Sequence, residues 1–192
     1  MKRIAAIIIF LFIATTNSFA VFFIDGFGAN VDAGDMENQR GYGVGLGFDL
    51  NPDINFLFRT ALTSVTENLN DEDETEYEHF TALAGLEYTP RIRFLSNYRI
   101  SWKTSILAGV SNSDVEIDKM YGESESEMGI ACSFWTGLQF ALTRYISPFV
   151  DFGYHSSFYT NKFEDASIRG YQAAIGIRFY ITGGGDYTGD YQ

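Results

Sequence analysis

After the first twenty residues, apolar side chains recur at every second position, segment after segment. A period of two marks strands whose two faces meet different surroundings, because successive side chains point to opposite sides. Tyr42, Val44, Leu46, Phe48 and Leu50 fall on one face, and Gly41, Gly43, Gly45, Gly47 and Asp49 on the other. Next, Ile54, Phe56, Phe58, Thr60 and Leu62 alternate with Asn55, Leu57, Arg59, Ala61 and Thr63. Between these two runs lies Asn51-Pro52-Asp53, which reads as a tight turn since proline fixes φ and cannot donate to a ladder. The same alternation runs through Phe80–Tyr88, Tyr98–Val110, Met128–Phe140, Pro148–Phe158 and Tyr171–Ile181. In Val21–Val31 the aromatic and aliphatic residues Phe22, Phe23, Ile24 and Phe27 occupy both parities, which leaves the register of that strand open. The count is eight strands, each able to supply the roughly 9–11 tilted residues that cross a bilayer.

Alternation alone does not say which face is wet, because a soluble barrel alternates too, with its apolar face inward. The composition of the other face decides. It is mostly Gly, Ala, Ser and Thr with isolated charges, where a soluble barrel needs dense lysine and glutamate. Small residues suit the crowded interior of an eight-stranded barrel, which side chains just fill. The large apolar face then meets hydrocarbon, and Tyr42, Tyr88, Tyr98, Tyr154, Phe158 and Tyr171 near strand ends read as interfacial girdles. The expected fold is all-β: an eight-stranded antiparallel up-and-down transmembrane β-barrel.

Connections alternate in kind. Those at 51–53, 90–97 and 143–147 are short or free of acids; those at 32–38, 66–76, 112–125 and 160–166 are polar and mostly acidic. Short turns belong on the periplasmic side and long loops outside. The second outer loop carries Glu67, Asp71, Glu72, Asp73, Glu74 and Glu76, and the third Asp114, Glu116, Asp118, Glu123 and Glu125.

The N-terminus adds an address. Lys2 and Arg3, an apolar run from Ile4 to Ala14, and Ser18-Phe19-Ala20 form a secretory signal peptide over residues 1–20. The apolar run is shorter than the roughly 20 residues of a spanning helix. The barrel then occupies 21–181, and 182–192, with its Gly183-Gly184-Gly185, reads as a flexible tail. A net charge of −12 argues against nucleic acid and against an electrostatic grip on anionic lipid. Cys132 is the only cysteine, so no disulfide forms within the chain.

Three sets of residues are candidates for chemistry. Asp49, Glu87 and Asp151 face Arg59, Arg99, Lys103 and Arg178 on the inner parity, with Asp25 as a further candidate. Nearly balanced charges read as an ion-pair network that plugs the lumen; the alternative is a narrow, charge-lined solute channel. His155 and Ser157, two apart on one face, could act as base and nucleophile, with Glu164 or Asp165 orienting the imidazole. The acidic loops offer oxygen ligands to divalent ions, but Asp71 and Asp73 lack the glycine and distal glutamate of a calcium loop, and a solvated charge run is the better reading. The alternating glycines precede no helix and so cradle no phosphate; they are packing residues.

These patterns resemble the small eight-stranded outer-membrane barrels, the group of surface adhesins and opacity-type proteins. The resemblance implies an outer-membrane location, contact with outer-membrane lipid and lipopolysaccharide, and no cofactor. Tyr171 and Phe179 in the last strand look like the C-terminal signal that the barrel-assembly machinery reads, although residues continue beyond Phe179. His155-Ser156-Ser157 also resembles the His-x-Ser of the outer-membrane lipid A deacylases, with Phe158 standing where that family has Asn. The favoured expectation is a plugged, non-enzymatic barrel that works through its acidic outer loops, with the channel and the deacylase as alternatives.

Overall fold

In a computed structural model the described residues are 21–31, 39–70, 73–90, 95, 98–117, 123–159 and 169–181. The expected signal peptide, the tail, Glu164 and Asp165 lie outside them. The strands are β1 (Phe22–Val31), β2 (Gln39–Asn51), β3 (Ile54–Asn70), β4 (Asp73–Tyr88), β5 (Ile100–Ile117), β6 (Glu123–Phe140), β7 (Ile146–Phe158) and β8 (Arg169–Tyr180). Each pairs antiparallel with its sequence neighbour, and β1 pairs with β8 to close the barrel. Closure leaves the spanning part without an open edge, the condition for a sheet to enter hydrocarbon.

The two faces separate as the alternation requires. Leu57, Leu83, Leu107, Ala131, Trp135, Phe149 and Ala174 are buried inside, while Ile106, Ile130 and Ile175 are 68–69% exposed on the outside. An apolar belt this continuous would be an aggregation surface in water and is at home in lipid. In β1 the inward residues are Phe23, Asp25, Phe27 and Val31, and Ile24 faces out. Both inward rings of β1 need space, and β2 supplies it: Phe23 sits opposite Gly47 and Phe27 opposite Gly43. A Cβ at Gly47 would overlap Phe23 Cζ, and one at Gly43 would overlap Phe27 Cζ. The glycine run of β2 is therefore the socket for the aromatic residues of β1.

Side chains set the turns at one end. Asn51 Oδ1 accepts from the N–H groups of Asp53 and Ile54, both at 2.9 Å, and so closes the Pro52-Asp53 turn. Thr143 Oγ1 does the same for Tyr145 and Ile146, at 3.1 and 3.0 Å. These are the side-chain turn motifs that favour Asn and Thr at such positions.

At the other end the expected loops 66–76 and 112–125 are largely strand. The β3–β4 ladder runs up to Asn70 opposite Asp73, and the β5–β6 ladder to Ile117 opposite Glu123. β3 to β6 are 16–18 residues long, against 10–13 for the other four. Polarity had suggested loop, but a strand that has left the membrane has no reason to be apolar. Described pairing with the flanking strands stops earlier, at Arg40 with Ser64 and at Ile130 with Phe158. Among the described residues, β3 to β6 thus continue as a four-stranded sheet past their last described pairs with β2 and β7, and form a collar.

Candidate functional site in the barrel lumen

Six charged side chains, from six different strands, meet inside the barrel near the end with the tight turns. Following the contacts, Arg178 pairs with Asp25 (2.7 Å), Asp25 with Arg59 (3.3 Å) and Arg59 with Asp151 (3.0 Å). Asp151 then pairs with Lys103 (2.9 Å), Lys103 with Glu87 (4.0 Å) and Glu87 with Arg178 (2.7 Å). The circuit closes with alternating sign, and no member is more than 3% exposed. Arg178 is the best-anchored member: Nε and Nη2 reach both oxygens of Asp25, and Nη1 and Nη2 both oxygens of Glu87. Planar, forked donation of this kind is the strongest form of ion pair, and removing one member leaves an uncompensated charge in a poor dielectric.

Aromatic rings frame the circuit. Phe23 lies 3.7 Å from the Arg178 guanidinium, and Phe149 lies 3.7 Å from Lys103 Nζ. Phe27, Trp135 and Phe149 surround Arg59 at 5.1–5.6 Å. Glycine again provides the room, since a Cβ at Gly45 would press on Arg59 and Asp25, and one at Gly137 would overlap Asp151. Asn55 adds a hydrogen bond to Glu87 at 3.0 Å.

The sequence reading placed Arg59, Glu87, Lys103, Asp151 and Arg178 on the inner face, and the structure brings these five together. It adds Asp25 as a full member and leaves two out. Arg99 has φ of 57° and precedes the first residue of β5, so the strand alternation does not extend to it and its side chain is exposed at the rim. Asp49 sits where the β2–β3 register shifts; it is half-buried and joins none of the pairs of the circuit.

Towards the collar lies a second, uncharged cluster that the sequence reading missed in part. His79 of β4 and His155 of β7 face each other, with their Nε2 atoms 3.3 Å apart. Ser157 Oγ lies 2.7 Å from His155 Nε2 and 3.3 Å from His79 Nε2. The Nδ1 atoms meet Ser133 Oγ at 2.7 Å and Tyr159 OH at 3.1 Å, respectively for His155 and His79. The signal for His79 was available: these are the chain's only two histidines, and both fall on inner parities. The expected His155–Ser157 contact forms, but both residues are buried in the lumen, turned from lipid. The partner of His155 Nδ1 is a hydroxyl rather than a carboxylate.

Between the two layers is a cavity of about 30 Å³, bordered by Phe27, Arg59, Trp135, His79, His155 and Gln172. That is room for roughly two or three waters. The wall atoms lacking a hydrogen-bond partner include Arg59 Nε and Nη1 and Gln172 Nε2, all donors.

A closed barrel with an apolar exterior and a charge-filled lumen defines the class: a small eight-stranded β-barrel of the outer-membrane type. Among solved structures it is similar to Neisserial surface protein A, at 13% identity and a TM-score of 0.61, over 84% of this chain and 97% of that one. It is similar also to Ail, the attachment invasion locus protein of Yersinia pestis, solved with the heparin analogue sucrose octasulfate (18% identity, TM-score 0.53, 84% and 97% covered). A third is OprG from Pseudomonas aeruginosa (11% identity, TM-score 0.53, 84% and 95% covered). At these identities the likeness is one of fold. No family model and no curated protein matches the chain.

Proposed function

We propose that this chain is a plugged outer-membrane barrel, anchored in lipid and lipopolysaccharide, whose task is interaction at the cell surface through the collar formed by β3 to β6. The closed circuit of six lumenal charges is the observation that carries the reading: it spans the barrel from strand to strand and is packed by Phe23 and Phe149. Eight strands leave little lumen once it is filled to this degree. The collar supplies the working surface, since thirteen of the chain's twenty-five acidic residues fall within 66–78 and 114–127, against Lys119 as the one base. A surface of that sign favours a cationic partner, or an anionic one bridged by divalent ions, and repels bare polyanions.

Single-channel recording of the refolded protein in a planar bilayer tests the plug. Silence, with folding shown separately by heat-modifiable gel mobility, is the expected result. Steady open currents at neutral pH would mean that the charges line a pore, and would replace this reading by transport.

A further inference from the structure

The two histidines of this chain lie 76 positions apart in sequence, yet their Nε2 atoms are 3.3 Å apart in the lumen. Three potential ligand atoms form a small triangle there: His79 Nε2, His155 Nε2 and Ser157 Oγ, with sides of 3.3, 2.7 and 3.3 Å. A point just off the plane of that triangle is about 2.0 Å from all three, the length of a metal–imidazole bond.

The proton inventory points the same way. Each Nδ1 faces a hydroxyl, Ser133 for His155 and Tyr159 for His79. When both Nδ1 atoms donate, as in the outer-shell hydrogen bonds that orient metal-binding histidines, both Nε2 lone pairs are directed at one another. In those tautomers the two Nε2 lone pairs and Ser157 Oγ converge, and a cation placed between them would meet all three. We propose that His79, His155 and Ser157 form a binding site for a borderline-soft transition-metal ion of the zinc or copper kind. Among the described residues no third His, Cys, Asp or Glu side chain completes a cluster with them. The fourth position therefore falls to water from the adjoining cavity, which both histidines border. Imidazole ligands without a carboxylate suit zinc and copper and disfavour calcium and magnesium. The acidic collar lies on the side of the barrel from which a cation would arrive and raises its local concentration.

The test uses the full chain without an affinity tag, refolded in detergent and titrated with copper(II) chloride under electron paramagnetic resonance, with zinc chloride as competitor. One copper per barrel, with splitting from two imidazole nitrogens and displacement by zinc, is expected. His79→Gln and His155→Gln should each remove one nitrogen from the spectrum and weaken binding more than about tenfold. Should both variants misfold, Ser133→Ala keeps both imidazoles and frees only the His155 Nδ1 partner; it should weaken binding by about tenfold. Copper bound without nitrogen splitting, or with an affinity unchanged in these variants, would assign the metal to the collar carboxylates and overturn the proposal, as would no saturable binding.

Discussion

Replacing Arg178 by Met tests the lumenal circuit most directly. The side chain is 1% exposed and donates to four carboxylate oxygens, at 2.7, 2.7, 3.0 and 3.0 Å. Methionine keeps much of the length and removes the charge. Asp25 then retains only Arg59 at 3.3 Å, and Glu87 retains Asn55 and a 4.0 Å contact to Lys103. Three buried carboxylates would share two cations. Breaking a buried pair from one side costs about 3–5 kcal/mol, which for a urea slope of about 2 kcal/mol per molar lowers the unfolding midpoint by about 1.5–2.5 M. Arg178→Glu, which adds a fourth carboxylate, should cost more. The informative comparison is Arg178→Met with Glu87→Gln, which restores two charges of each sign; it should recover at least about 1 kcal/mol relative to the single change. Urea unfolding in lipid vesicles, followed by Trp135 and Trp102 fluorescence, gives the midpoints. A loss below about 1 kcal/mol for Arg178→Met, with no recovery in the double variant, would refute the view that these charges act as one unit.

Other expectations concern packing, orientation and the collar. Gly47→Ala, whose Cβ would overlap the Phe23 ring and the Phe56 carbonyl, should destabilise by about 1–3 kcal/mol. Gly26→Ala, where nothing lies within 4 Å, should stay within about 0.5 kcal/mol under the same urea assay. A spin label on the lone Cys132, which is exposed on the outer face of β6, should be relaxed by oxygen and shielded from a water-soluble nickel complex in bilayers; the reverse pattern would contradict a lipid-facing exterior. Joining Thr66 to Tyr77 through a short Asn-Gly turn should leave the heat-modifiable gel shift intact, because the deleted segment pairs above the level where the described β2–β3 ladder ends. Loss of the folded band would mean that the collar helps to hold the barrel.

Much of the architecture was legible because the period of two is imposed by the boundary between lipid and lumen, and that boundary acts on every strand separately. Side-chain facing in β2 to β8 follows from parity alone. β1 resisted because Phe22 and Phe23 are both large; its register depends on where glycines stand in β2, a property of the pair. The same limit governs the site. Parity assigns Arg59 and Asp151 to the interior, but their 3.0 Å contact crosses between β3 and β7 and depends on the stagger of the closed sheet. Arg99 was misjudged because parity was carried into a turn residue with left-handed backbone, whereas Asp49 keeps the inner parity opposite Asn55 and parity alone does not show that it stays outside the circuit's ion pairs. His79 was on the right face from the outset and gained meaning only when the fold set it opposite His155.

The collar gives the barrel a front and a back. Among the described residues, β3 to β6 go on pairing with one another past Ser64 and Ile130 as a single four-stranded sheet. Backbone pairing holds these acidic segments in one sheet, so their charges are carried at fixed strand positions rather than along free loops.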